Sequence, residues 1–230
     1  MTRAILCDIE GTIGSIRFVR EVLFPYAARA LPGFVRAHLD EPAVAAQLDV
    51  VASDCDLDRQ DTGALIAQLL SWIESDTKAT PLKSLQGMVW AEGYRSGDYQ
   101  GHVYEDALRN LREWRRRGYG LHIFSSGSVQ AQQLYFRYSA FGDLRTLFGG
   151  WFDTTTGPKQ EPSSYSAIAA ILGEDPRDIL FLSDAAAELD AAAAARLRTT
   201  WILRPEDTEV DIATVLSRHP VADSFDWVEP

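Results

Sequence analysis

Near its start the chain runs Ala4-Ile5-Leu6-Cys7, four apolar residues in a row. It then turns acidic and tight in Asp8-Ile9-Glu10-Gly11-Thr12. A short continuous apolar run closed by Gly reads as a strand buried on both faces, which is the state of strands in a parallel sheet. In open α/β sheets the ligand lies beyond the carboxyl ends of the strands. That places Asp8 and Glu10 at the lip of a site. Residues two apart on extended chain face the same side, so the two carboxylates are expected to converge on one cation or one substrate. An acidic turn built from turn-forming Asp and Gly is the plainer alternative.

The second half of the chain repeats this strand pattern in alternation with helices. Tyr104 to Arg117 reads as a helix with Leu108, Leu111 and Trp114 inward, ending in a cation-rich turn and Gly118. A strand over Tyr119 to Phe124 leads into Ser125-Ser126-Gly127-Ser128, and a helix follows from Val129 to Tyr138. Trp151 to Asp153 is a short strand, and Gly157-Pro158-Lys159 a loop. Ser163 to Leu172 is a helix stopped by Gly173. Asp178 to Ser183 is a strand, Asp184 to Arg198 an Ala-rich helix, and Thr199 to Leu203 the last strand. Such alternation predicts an α/β fold with a parallel, Rossmann-like sheet.

Between these parts lies a stretch with helical patterns and no convincing strand. Val19 to Leu31, disturbed at Pro25, and Glu41 to Cys55 read as helices. Asp61 to Asp76 carries Leu65, Ile66, Leu69, Leu70 and Ile73 on one stripe. Thr80-Pro81 reads as a cap followed by Pro at the first helical position. Its helix holds Leu82, Leu85 and Val89 on one side, then Trp90, Glu92 and Tyr94. The expected organisation is an α/β core over residues 1–18 and 97–230, with an inserted all-helical cap over 19–96.

Composition removes several classes of function. The net charge is −11, which speaks against a nucleic-acid surface. No apolar run approaches the ~18 residues of a membrane helix. Two cysteines, Cys7 and Cys55, make no disulfide framework, so a reducing, cytoplasmic setting is expected. A monomer acting on a small molecule is the expected state.

Each strand end also delivers a chemical group. Ser125 and Ser126 open a helix, where small hydroxyl residues bind anions or merely cap. Lys159 precedes a helix, and a lone loop lysine is otherwise solvated. Asp184 ends a strand, with Glu188 four residues on along the same helix face. Asp8, Glu10 and Asp184 gathered at one point would be costly without a cation, and hard oxygen ligands suit Mg²⁺. One chemistry uses the whole set. A carboxylate attacks a phosphoryl group and Mg²⁺ relieves their repulsion. Hydroxyls and a lysine hold the phosphoryl oxygens, while a second carboxylate protonates the leaving oxygen and later activates water.

These residues resemble the motifs of the haloacid dehalogenase-like phosphohydrolases: an acid, a residue, a second acid and Gly-Thr; a strand ending in Ser; a lysine; an acidic cluster. The resemblance narrows to the enolase-phosphatase branch of methionine salvage on several stretches. They are Glu10 as the second acid, Leu23-Phe24-Pro25-Tyr26-Ala27, Thr80-Pro81-Leu82-Lys83 leading into Leu85-Gln86-Gly87-Met88-Val89-Trp90, Ser125-Ser126-Gly127-Ser128, and Phe181-Leu182-Ser183-Asp184 followed by Glu188-Leu189-Asp190-Ala191-Ala192. It implies a Mg²⁺ site at Asp8, Glu10 and Asp184, with Asp8 also the nucleophile and Glu10 contributing through its backbone carbonyl. It further implies substrate contacts from Ser125, Ser126 and Lys159. The implied substrate is a small phosphate ester, 2,3-diketo-5-methylthiopentyl 1-phosphate, enolised and dephosphorylated to the acireductone. The chain departs from the branch at Thr12-Ile13-Gly14-Ser15, where a Thr-Thr-Pro-like segment is usual. The rivals are a general sugar-phosphate phosphatase of the same fold, a haloacid dehalogenase, which would not need Glu10 and Asp184, and a non-catalytic scaffold.

Overall fold

The structure is a computed structural model, and it describes residues 2–75, 77–208 and 217–230. The chain divides into two compact units, Met1–Phe18 with Gln100–Pro230, and Val19–Tyr99.

The first unit is built on a six-stranded parallel sheet in the order β3-β2-β1-β4-β5-β6. The strands are β1 (Ala4–Cys7), β2 (Gly120–Phe124), β3 (Gly150–Phe152), β4 (Ile179–Ser183), β5 (Arg198–Ile202) and β6 (Val221–Ala222). Strand β1 is fully buried because it is central, with Cys7 registered against Ile123 on one side and Leu182 on the other. Its residues alternate between two cores. Ile5 and Cys7 pack with Leu121, Ile123, Leu180, Leu182, Leu111 and Trp114. Ala4 and Leu6 pack with Phe124, Ile179, Phe181, Tyr165, Ile168 and Leu189. A sheet covered on both faces has no polar positions to offer, which is why its central strands read as continuous apolar runs.

Sequence expectation and structure differ where tertiary packing or backbone geometry overrides local pattern. Strand β6 is an addition, because two residues carry no periodicity. The Ala-rich helix is shorter than Asp184 to Arg198. It runs Ala186–Ala194, and Arg196 takes a left-handed φ of 69° that turns the chain into β5. Strand β5 accordingly starts one residue early, at Arg198.

The second unit holds helices and no strand among its described residues. The single turn α1 (Ile16–Phe18) of the first unit runs into a π-helical turn over Val19–Leu23. Then follow α2 (Phe24–Ala37), α3 (Pro42–Cys55), α4 (Thr62–Glu74) and α5 (Thr80–Ser96). The expected disturbance at Pro25 is present. The π-helical turn gives way to α-helix at Phe24, beside the proline that lacks an N–H, with Leu23 itself in the right-handed helical region, and α2 then continues through Pro32. Asp61 caps α4 by accepting from the Ala64 N–H, while Asp76, its expected last residue, lies outside the described residues. Ala79, not Thr80, occupies the cap position of α5, and no side chain caps it. The unit has its own core of Leu31, Val35, Leu48, Val51, Leu65, Leu69, Leu85 and Val89. Tyr94 is buried in this unit against Tyr99, with ring centroids 4.7 Å apart, so it is packing rather than a surface group. Trp90 is half-buried and donates its indole N–H to the Leu23 carbonyl at 2.8 Å, whereas Glu92 is exposed.

The first unit carries the helices α6 (Glu105–Arg116), α7 (Val129–Arg137), α8 (Pro162–Leu172) and α9 (Ala186–Ala194). Helix α8 ends at Gly173 in the left-handed region, φ 70°, and Gly118 follows α6 with φ 92°.

Candidate active site

Strands β1, β2 and β4 end side by side where the strand order reverses direction about β1, the usual place for a site in a doubly wound sheet. Asp8 follows β1 directly, and its N–H donates to the Leu182 carbonyl of β4 at 2.9 Å. The chain then leaves the strand. Thr12 and Gly14 both donate their N–H to the Ile9 carbonyl, and Gly11 donates to the Gly14 carbonyl. Asp8 and Glu10 are therefore brought together by a tight turn at Ile9 and not by extended chain, which corrects the reason given above for their convergence. Burial first, and Asp8 second, push the Glu10 carboxyl up to about 7.

Ser125 follows β2 directly and is fully buried. Its hydroxyl donates to Glu10 at 3.1 Å and accepts from the Gly127 N–H. Ser126 is exposed, and Ser128 is the residue that caps α7. Lys159 is not a solvated loop lysine. It is 7% exposed, donates to Asp8 Oδ1 at 2.7 Å and pairs with Glu188 Oε2 at 2.7 Å. Burial opposes its charge, but Asp8 and Glu188 outweigh that and hold it above its ordinary range. Its loop is fixed by α8, since Tyr165 donates to the Lys159 carbonyl at 2.6 Å and Ser164 to that of Pro158 at 2.7 Å.

Asp184 follows β4, and its carboxylate lies against Gly11. A Cβ at Gly11 would overlap it, and Gly11 also has φ +71°. Burial, then Asp8 and Glu188, push Asp184 up to about 7. The structure thus gathers Asp8, Glu10, Ser125, Lys159 and Asp184 in one place, with Ser126 exposed one residue beyond.

Three further residues belong to this site. Glu188 pairs with Lys159 and accepts from the Ser183 hydroxyl at 2.9 Å. Its position four residues after Asp184 was the available signal. Asp153, after β3, accepts from Val129 N–H, Thr155 N–H and the Thr155 hydroxyl, so it orders the start of α7. An Asp two before a Thr is an ordinary turn signature and discloses nothing of that reach. Gln132 donates to the carbonyls of Gly127 and Phe152, both at 2.8 Å, and pins the Ser125–Gly127 loop. No pattern in the sequence marks it.

The departing segment has its own partners. Ser15 donates its hydroxyl to Asp207 at 2.6 Å and its N–H to His102 Nδ1 at 3.1 Å, and Ile16 N–H donates to Asp207 at 2.9 Å.

The site is rich in carboxylates. Asp8 and Glu188 contact Lys159, and burial and neighbouring carboxylates push Glu10, Asp184 and Glu188 up despite that ammonium. Among the described residues there is no group of three or more His, Cys, Asp or Glu side chains that could hold a metal ion. The Glu10 carboxylate accepts from Ser125. A hard cation here would take carboxylate oxygens of Asp8 and Asp184, the Glu10 backbone carbonyl, and water. Mg²⁺ accepts such a set, as it usually keeps several waters. A cavity of about 450 Å³ exists elsewhere, at the opposite, amino-terminal edge of β1 and β2, lined by Thr2, Arg3, Tyr119 and His122 among others. It contains none of these groups.

Comparison with known proteins agrees with the geometry. The family model of haloacid dehalogenase-like hydrolases matches residues 2–196. The chain is 53% identical over 223 residues to "Enolase-phosphatase E1" of Pseudomonas aeruginosa (strain UCBPP-PA14), covering 97% of this chain and 96% of that one. It is 48% identical over 230 residues to the protein of the same name from Methylococcus capsulatus, covering 100% and 99%. Among solved structures it superposes on the UTR4 protein of Saccharomyces cerevisiae with a TM-score of 0.82 at 35% identity, covering 99% of this chain and 100% of that one.

Proposed function

The chain belongs to the haloacid dehalogenase-like hydrolases, and from that premise we infer that it is a Mg²⁺-dependent enolase-phosphatase of methionine salvage. It enolises 2,3-diketo-5-methylthiopentyl 1-phosphate and hydrolyses it to 1,2-dihydroxy-3-keto-5-methylthiopentene and phosphate. The observation that carries this reading is the buried Asp8–Lys159 pair at the end of the central strand, in a chain about half identical to relatives named enolase-phosphatase.

The residues divide the chemistry as follows. Lys159 occupies Asp8 Oδ1, which leaves Oδ2 to attack phosphorus. The bond from phosphorus to the substrate oxygen breaks, and its electron pair goes to that oxygen. Glu10, pushed up to about 7, holds the proton that the oxygen takes. The phosphoryl group is then carried on Asp8. Glu10, now ionised, accepts a proton from water, whose oxygen attacks phosphorus and releases phosphate from Asp8. Ser126 and the backbone of the Ser125–Gly127 loop receive the phosphoryl oxygens, and Ser125 also aligns Glu10. Asp8, Asp184 and the Glu10 carbonyl would hold Mg²⁺, which would supply positive charge against the repulsion between carboxylate and phosphate.

In this reading the helical unit is the cap that excludes water during the reaction. Among the described residues no helix is long and apolar enough to cross a membrane, and action in the cytoplasm as a monomer completes the proposal. The test follows enediol absorbance and phosphate release separately on the diketo phosphate. Both signals are expected. Phosphate release with the plain diketone as product would leave a general phosphatase, which shares every core residue and is the second reading.

A further inference from the structure

Arg204 is 3% exposed, a depth that an arginine reaches only with its charge and donors satisfied. Its Nε and Nη2 both donate to the Thr12 carbonyl, at 3.0 and 2.8 Å. Its Nη1 donates to Asp106 Oδ2 at 2.7 Å. Asp106 is itself fixed by the Ser224 hydroxyl at 2.8 Å and the Phe225 N–H at 2.7 Å. The guanidinium carbon lies 4.3 Å from the centroid of the Tyr104 ring and 5.0 Å from that of Phe225. The plane of the group, its charge and its donors are thus all constrained, and the one backbone group it clamps belongs to the loop that follows the nucleophile.

That loop shapes itself but does not place itself. The bonds to the Ile9 and Gly14 carbonyls are internal to it. Its far limb is located by Arg204 on the Thr12 carbonyl and by the Tyr104 N–H on the Ile13 carbonyl. Two residues before Thr12 stands Glu10. Between them Gly11 carries the contact with Asp184. A shift at Thr12 therefore passes to both.

We propose that Arg204 is a positioning residue for the reaction, clamping the Thr12 carbonyl so that Glu10 stands where the leaving oxygen takes its proton. This rests on the reading of Glu10 as the proton donor given above. It makes a distinction that mere stapling of the fold does not. A primary alkyl phosphate leaves as a strongly basic alkoxide and needs the proton, whereas p-nitrophenyl phosphate leaves as a stable phenolate and does not.

The experiment compares kcat/KM for these two esters in Arg204→Lys, with Glu10→Gln as reference. That quantity ends at departure of the leaving group and leaves out the later hydrolysis on Asp8, which needs Glu10 for both esters. Lysine keeps the charge opposite Asp106 but has no rigid fork to hold one carbonyl through two N–H groups. The expected result is a loss of about 100-fold on the alkyl phosphate, the scale of a misplacement near 1 Å, and a change under about 3-fold on the aryl phosphate, within the range of an undisturbed step. Glu10→Gln should show the same selective loss. If Glu10→Gln is unselective, the reading of Glu10 is wrong. If Glu10→Gln is selective while Arg204→Lys lowers both esters equally, in step with its folded fraction by circular dichroism, the proposal for Arg204 is overturned alone. Should Arg204→Lys fail to fold, Asp106→Asn releases the guanidinium more gently, and the same selectivity is expected. An equal loss on both esters there overturns the proposal.

Discussion

Lys159 Nζ stands 2.7 Å from Asp8 Oδ1 and 2.7 Å from Glu188 Oε2, with the lysine and aspartate side chains each 6% exposed. One ammonium therefore serves a buried and a half-buried carboxylate, and it fixes which oxygen of Asp8 is open to the substrate. Lys159→Met is expected to lower kcat/KM by about two orders of magnitude or more, the scale of a ~3 kcal/mol charge contact. A loop lysine outside the core would leave stability alone. This one does not, because two carboxylates would remain without their cation. Burial, then Asp8, already raise Glu188. The variant should thus be less stable than wild type at pH 8 and regain stability as the pH falls and Glu188 takes a proton. Kinetics on any phosphate ester, with urea melts at two pH values, checks both parts. A near-wild-type rate would return Lys159 to a bystander.

Gly11 is required twice, by its φ of +71° and by the Asp184 carboxylate lying where a Cβ would go. Gly11→Ala should cost about 1–3 kcal/mol of stability from backbone strain. It should also push Asp184 aside. The Mg²⁺ concentration for half-maximal activity is expected to rise about tenfold or more, as expected when a hard oxygen ligand is displaced. Asp184→Asn should move it in the same direction, and excess chelator should abolish phosphate release from the wild-type protein. The direct readout is Mg²⁺ binding by calorimetry. Unchanged Mg²⁺ affinity in Gly11→Ala would separate Asp184 from the metal.

Much of this site could be read before any coordinates, for a physical reason. Strands buried on both faces leave unbroken apolar runs, and whatever follows such a run stands at the sheet's carboxyl edge. Asp8, Ser125 and Asp184 were legible in that way. Lys159 was legible only as chemistry, since nothing local distinguishes a buried loop lysine from a solvated one. Its burial comes from Glu188 and Tyr165, which α9 and α8 supply. Arg204, Gln132 and the reach of Asp153 to the Val129 N–H were not legible, because each acts on a backbone group that sequence spacing does not bring near. The convergence of Asp8 and Glu10 was anticipated for the wrong geometry, a strand instead of the turn at Ile9. The cap position of α5 was misjudged because Thr80 satisfied the local rule while Ala79 took the extended conformation.

His122 on β2 supplies a pH dependence of stability independent of catalysis. Burial, and then Arg115, lower its imidazole from 6.5 to about 4. Its Nδ1 is buried with no hydrogen-bond partner among the described residues, close to Gly150. Because the folded value is depressed, the stability it permits is fully present above pH 6.5 and is lost as the pH falls through the window down to about 4, where the unfolded chain binds a proton that the folded chain refuses. With screening by solvent allowed for, the loss is about 1–2 kcal/mol. His122→Gln, which does not titrate, should flatten that part of the curve relative to wild type. Parallel denaturant melts between pH 7 and 4 make the comparison. Identical slopes for the two proteins would show that His122 ionises normally in the folded state.

The two halves of the proposed reaction ask different things of Asp8. Phosphoryl transfer needs a carboxylate oxygen as nucleophile. Enolisation needs a base near the acidic carbon and a positive group near the carbonyl oxygen, a part Lys159 can play. Asp8→Asn removes the nucleophile while nearly conserving shape, and its amide oxygen can still accept from Lys159 where Oδ1 does now. The variant should release no phosphate yet exchange the substrate's acidic C–H hydrogen. Proton NMR of the diketo phosphate in D₂O, with enzyme and Mg²⁺, follows the loss of that signal above the uncatalysed rate. If the variant binds substrate normally and shows no exchange, then Asp8 is itself the enolising base or the enzyme does not enolise. The wild-type product decides between these. An enediol leaves Asp8 with both tasks, and a dephosphorylated diketone removes the enolase half of the function.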